Sequence, residues 1–300
     1  MKIWVNGSMV EAAEARISVL DAGTQHGVGL FETMQSCRGQ IVQMRMHMER
    51  LRNSALELQL TESLNVEALC EALMQVLEAN DLEDSRLRLT LTGGDLPGLQ
   101  AYGELDRHPN IFIVAQPPTR YPEEFFTKGI LARIADGRLN PLDPHAGHKT
   151  LNYWSRIRAL QKAGADGAGE ALWFSVSNHL CGGSVSNIFL VNKGSLFTPL
   201  ARGEEEGAAL PSPVLPGTVR QFVIDQANHM GIGTSRKMLD IDDMLDADEV
   251  FLTNSSWGVL PVVGVEKEPI SDGRVGETAQ QLRTRWIELL GGGSPEGDQN

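Results

Sequence analysis

Apolar and polar positions alternate along the chain in two distinct rhythms. Short apolar runs flank Asn6-Gly7 within residues 2–10, and residues 30–36 and 40–44 flank Arg38-Gly39. Both patterns predict β-hairpins, because Asn-Gly and similar pairs accept the backbone angles of tight turns. The rhythm then lengthens. Met48, Leu51, Ala55 and Leu58 share one face of a helix over 46–58, and 64–79 predicts a second. Leu87, Leu89 and Leu91 alternate as in a strand, and Ile111 to Val114 form another short apolar run. Beyond that the pattern predicts strands at 129–134, 171–176, 188–192, 196–198, 249–253 and 259–265. It predicts helices at about 150–163, 217–230 and 276–290, the last with Leu282, Trp286, Leu289 and Leu290 on one stripe.

Strands and helices are interspersed in both halves, so the expected class is mixed α/β in two domains. The three prolines of QPPTRYPEEFFT, residues 116–127, mark the expected linker. It separates a smaller domain over about 1–115 from a larger one over about 128–290. Residues 203–214 read as a loop insertion, and the tail from 291 to 300 as disordered. No internal repeat is visible.

Composition narrows the function. The chain has 300 residues, 41% of them hydrophobic, and a formal net charge of −13. An acidic surface repels phosphate backbones and anionic lipid, so neither nucleic acid nor membrane is an expected partner. No apolar run reaches the roughly 20 residues needed to span a bilayer, and the N-terminal residues lack a signal-peptide pattern, so the expected location is the cytoplasm. Cys37, Cys70 and Cys181 show neither zinc-ligand spacing nor a disulfide framework, and no metal site is expected. There is no GxxxxGK(S/T) phosphate loop and no GxSxG elbow.

Three places suit anionic or amine chemistry. Pro216-Gly217-Thr218-Val219-Arg220 opens a predicted helix, where free amides and the helix dipole attract anions. The same pattern describes any ordinary helix start. His47 and Arg50 lie three apart on a helix face, and arginine's planar fork suits phosphate. A solvated charged face reads the same way. Lys149, in GHKTLNY, precedes a predicted helix; partly buried there it would suit Schiff-base chemistry, whereas most lysines lie on the surface.

These segments occur in a familiar order. DAGTQHGVGLFET (21–33), HMERL (47–51), GHKTLNY (147–153), SVSNIFLV (184–191), LFTP (196–199), LPGTVR (215–220) and ADEVFLTNSSWGVLPV (247–262) span most of the chain. Together they resemble the fold-type IV pyridoxal-phosphate enzymes: branched-chain and D-amino-acid aminotransferases and aminodeoxychorismate lyase. The resemblance implies a C-terminal pseudo-barrel domain, a cofactor between the domains, and a homodimer. It implies that Lys149 forms the Schiff base with pyridoxal 5'-phosphate. Arg50, Gly217, Thr218, Val219 and Ser255 would bind the cofactor, chiefly its phosphate. Ser256 would offer an amide to the substrate carboxylate, and His26 and Arg138 are further candidate substrate contacts, ahead of Arg86 and Arg88. The implied reaction moves an amino group between an amino acid and a 2-oxo acid. Pyruvate-releasing aminodeoxychorismate lyase is the alternative.

Two departures stand out. The family reads E-G-x-x-S-N before I-F, with the glutamate on the pyridine nitrogen; here Gly182 holds that place. Three readings follow: another acid reaches the nitrogen, Glu170 being nearest in sequence; the enzyme works with a weaker electron sink; or the chain is a catalytically impaired binder. The D-amino-acid branch carries R-G-x-x-x-R-x-H where this chain has Gly93 to Gln100, which argues against that branch.

Overall fold

A computed structural model describes residues 1–95, 108–207 and 209–291. Residues 96–100 of the Gly93 to Gln100 stretch, and the tail from 292 on, lie outside the described residues. The chain divides into two compact units, Met1–Thr119 with His148–Asn152, and Arg120–Gly147 with Tyr153–Asn300.

The first unit is a six-stranded antiparallel sheet. In chain order its elements are β1 (Lys2–Val5), β2 (Ser8–Glu11), α1 (Ala22–His26), β3 (Gly29–Cys37), β4 (Gln40–Ile41), α2 (Met44–Glu57), α3 (Val66–Ala79), β5 (Ser85–Thr92) and β6 (Ile111–Gln116). The strand order is β2-β1-β6-β5-β3-β4. Asn6 and Gly7 both take positive φ in the first hairpin, as do Arg38 and Gly39 in the second. Alternation sends Leu87, Leu89, Leu91, Met34 and Ile113 to one face, against Met48, Leu51, Leu73 and Val76 of the two helices. Each such burial contributes roughly 1.5–3 kcal/mol. Asn65 caps α3 by accepting from the Ala68 amide. Buried Asp21 caps α1 and also accepts from Thr92 Oγ1 and Asn110 Nδ2, tying that short helix to the end of β5.

The second unit holds α4 (Glu124–Thr127), β7 (Ile130–Leu139), α5 (Trp154–Ala165), β8 (Glu170–Ser175), β9 (Leu180–Gly183), β10 (Asn187–Asn192), β11 (Ser195–Thr198), α6 (Thr218–His229), β12 (Thr234–Arg236), α7 (Ile241–Leu245), β13 (Glu249–Asn254), β14 (Gly258–Val265), β15 (Glu268–Pro269) and α8 (Glu277–Leu289). Its sheet runs β12-β11-β10-β13-β14-β7-β8-β9, with β15 beside β14. The β14–β7, β7–β8 and β11–β12 pairs are parallel and the others antiparallel. The last strand of the path, β9, turns directly into β10 through a tight loop closed by Gly183 N–H to Ser186 O. This is the half-barrel the resemblance implies.

Two expectations need adjustment. The proline-rich stretch is not bare linker: it carries α4, and Tyr121, Phe125 and Phe126 pack on the core of the second unit. The helix expected from 150 starts only at Trp154, because residues 149–151 pair with β3 instead. Phe31 N–H donates to Lys149 O and Leu151 N–H to Gly29 O. A backbone whose hydrogen bonds go to a strand cannot also begin a helix. Residues 203–207 and 209–214 form no helix or strand.

Candidate active site

In the first unit, the strand-like pairing of 149–151 with β3 fixes where Lys149 stands. The side chain is half-buried, and its Nζ lies 4.4 Å from the centre of the Phe31 ring. The Arg88 guanidinium, from β5, lies 3.8 Å from the same ring. A phenyl face attracts both cations without neutralising either.

Beside them is a buried triad. Arg50 Nε and Nη2 donate to Glu32 Oε1 and Oε2 at 2.8 and 2.5 Å, a bidentate fork. His47 Nδ1 lies 2.8 Å from Glu32 Oε2, with both side chains 1% exposed. Burial raises the Glu32 pKa, but the Arg50 charge and the His47 contacts outweigh it and hold the carboxyl at about 2. Burial pushes His47 down from its ordinary value. A neutral ring facing a carboxylate must place its proton on Nδ1, so His47 donates. Glu32 thereby locks the rotamer of Arg50, the residue the resemblance assigns to phosphate.

In the second unit, α6 begins at Thr218 with Gly217 as its N-cap residue and no side-chain cap. By contrast α7 has a full capping box, and Glu249 accepts from the Thr278 and Ala279 amides of α8. Gly217 is required sterically: a Cβ there would collide with Asn187 Oδ1. Asn187 is itself anchored by donating to Leu215 O at 2.8 Å. Ser255 and Ser256 sit half-buried in the β13–β14 turn. Asn254 Oδ1 accepts from the Ser256 and Trp257 amides, so a carboxylate on the Ser256 amide would have to displace that bond.

Other candidates fare differently. His26 ends α1 and is exposed. Arg138 is exposed and donates to Ala135 O and Gly137 O of its own strand. Arg88, ranked behind them in the sequence, is the arginine that shares the Phe31 ring with Lys149.

The question left by Gly182 resolves partly here. Glu170, on β8, is fully buried. Its Oε1 accepts from the Ala171 and Ser184 amides, and its Oε2 from the Val185 amide and Ser186 Oγ. Four donors occupy the lone pairs of one carboxylate. Glu170 therefore holds the 183–186 turn and is not the replacement acid. Burial pushes its pKa up, and the donors pull it back. Glu170→Gln should lower the unfolding free energy by about 2 kcal/mol in urea titration, since an amide NH2 would face a donor. A change under about 0.5 kcal/mol would contradict this role.

The first unit thus presents a half-buried amine over an aromatic ring, and the second a helix start with no side-chain cap. Residues 29–265 match the model of amino-transferase class IV. A putative branched-chain-amino-acid aminotransferase of Methanocaldococcus jannaschii is 29% identical over 290 residues, 96% of each chain. The Escherichia coli branched-chain amino acid aminotransferase structure superposes with a TM-score of 0.87 at 26% identity, covering 99% of this chain and 97% of that one. The 4-amino-4-deoxychorismate lyase of Pseudomonas aeruginosa gives 0.82 at 27% identity, covering 95% and 98%.

The chain belongs to the class IV aminotransferase family. It is accordingly an enzyme of a class that works with pyridoxal 5'-phosphate. Its residues fit that cofactor: α6 begins with no side-chain cap, and the start of a helix attracts a phosphate. No cluster of three or more metal-ligating side chains occurs among the described residues. No helix among them is long and apolar enough to cross a membrane.

Proposed function

We propose that this aminotransferase transfers an amino group from an amino acid to a 2-oxo acid with Lys149 as its catalytic residue. The observation that carries the proposal is the placement of Lys149. Its carbonyl accepts from Phe31 N–H, Leu151 two residues on donates to Gly29 O, and its amine lies over the Phe31 ring. A surface lysine has neither constraint.

When bound, pyridoxal 5'-phosphate supplies the electron sink that lets the Cα–H bond of an amino acid ionise. The chain supplies the rest. Lys149 Nζ is the amine that would hold the cofactor, and once displaced by substrate it would act as the base and acid that moves the Cα proton. By the resemblance, the amides of Thr218 and Val219, the Arg50 guanidinium and the Ser255 hydroxyl would hold the phosphate. Arg88 suits a substrate carboxylate, being close to the amine through their shared ring. Ser256 remains a candidate for the same group through its amide; the exposure of His26 and Arg138 gives them little support. A cytoplasmic homodimer that binds neither nucleic acid nor membrane completes the proposal; the resemblance supports the dimer, and the net charge of −13 with three cysteines outside any disulfide supports the rest.

The test is a panel of amino donors offered with pyruvate or 2-oxoglutarate, with aminodeoxychorismate included. Amino transfer that depends on the oxo acid is the expected result. Pyruvate release from aminodeoxychorismate without an oxo acid would instead establish the lyase. Cofactor uptake with no turnover of any donor would establish the impaired binder.

A further inference from the structure

The turn between β9 and β10 is met by a positive charge, next to the place where the family motif carries a negative one. Gly182 is registered opposite Trp173 of β8. Its φ of 134° disfavours any side chain, and a Cβ would lie 2.7 Å from Ser186 O. The backbone is therefore built for the absence of the glutamate.

Arg156, on the first turn of α5, reaches the two residues that follow Gly182. Its Nη1 donates to Gly183 O at 3.1 Å and Ser184 O at 3.3 Å. Its guanidinium carbon lies 5.6 Å from the Trp173 ring centre and 5.8 Å from that of Tyr153. The same two peptide groups donate their N–H, from Ser184 and Val185, to Glu170. The N–H and C=O of a trans peptide point in opposite directions, so Arg156 and Glu170 stand on opposite sides of this backbone. Glu170 is also spent on four donors. No carboxylate pairs with Arg156 among the described residues, and the side chain is half-buried. The charged and titratable groups at the turn are Arg156 of α5, Tyr153 before it, Glu170 of β8 and Cys181 of β9. Burial drives the Cys181 thiol up to about 12, and Arg156 is the charge that opposes it.

We propose that Arg156 takes the position facing the cofactor's ring nitrogen that the family gives to an acid, and keeps that nitrogen unprotonated. The inference rests on the cofactor assignment above. A fixed cation nearby disfavours a second positive charge on the ring. The enzyme then runs on a weaker electron sink, and Arg156 is a positioning residue for the ring's charge state.

The experiment uses holoenzyme reconstituted with pyridoxal 5'-phosphate labelled with nitrogen-15 in the ring. The ring-nitrogen NMR shift is followed from about pH 6 to 9 in the native protein, Arg156→Gln and Arg156→Lys, each checked for fold by circular dichroism. The native protein and Arg156→Lys should show an unprotonated nitrogen throughout. In Arg156→Gln the nitrogen pKa should rise by ~1 unit or more, with a less than about threefold change in cofactor Kd. A protonated nitrogen in the native protein, or one that does not respond to Arg156→Gln, overturns the inference and leaves the cofactor assignment standing. Failure of the native protein to take up the cofactor overturns both.

Discussion

Lys149→Ala should remove amino transfer, with kcat falling by at least about 10³-fold, within the range for loss of a positioned acid–base group. The loss should be accompanied by a spectroscopic change. The native protein incubated with pyridoxal 5'-phosphate should show a visible band that borohydride fixes as a covalent adduct on the peptide containing residue 149. The alanine variant should bind the cofactor without forming that adduct. Its fold should be retained, because Phe31 N–H holds the carbonyl of residue 149 whatever the side chain. Arg50→Ala separates the two functions: it should weaken cofactor affinity while leaving the adduct on Lys149 intact. Substantial turnover by Lys149→Ala would falsify the proposed mechanism outright.

The second large effect lies in the buried triad. Glu32→Gln should destabilise the protein by about 3–5 kcal/mol, because it leaves Arg50 and His47 buried without their acceptor. The pH dependence supplies a sharper reading. The Glu32 carboxyl titrates at about 2 in the folded protein against an ordinary 4.5. The unfolded chain therefore binds more protons between those values. The stabilisation is complete above pH 4.5 and is lost as pH falls toward 2; it amounts to about 3 kcal/mol. Buried His47, also pushed down, adds loss in the same direction as pH falls below its ordinary 6.5. Urea midpoints measured from pH 7 down to 3 should fall steeply for the native protein. They should fall less steeply for Glu32→Gln. Parallel slopes would show that the triad does not govern acid stability.

Much of this architecture was legible because apolar spacing reports directly on which face is buried. The helices at 44–57, 66–79, 218–229 and 277–289 follow from that spacing, as do the long central strands. The short strand Leu180–Gly183 was not legible: two of its four residues are glycine, so it carries no alternation to read. The start of α5 was misplaced because helical spacing is silent about backbone partners, and 149–151 had a better partner in β3. At the site, Lys149 and the start of α6 came from motif resemblance as much as from chemistry. Glu32 was missed because a single acid at alternate spacing in a strand looks solvent-facing; only its two buried partners show otherwise. Arg156 carries no local sequence signal, since its acceptors are carbonyls 27 and 28 residues away. Arg88 was weighed and passed over for Arg138, since sequence does not reveal which arginine shares a ring with the lysine.

The crossing of residues 148–152 constrains how such a protein can be taken apart. A fragment ending at Thr119 lacks the segment that pairs along β3. One beginning at Arg120 carries Lys149 but not the strand that aims it. Neither piece can inherit the proposed chemistry, and an engineer wishing to graft this amine elsewhere must move a loop and its docking edge as a single module.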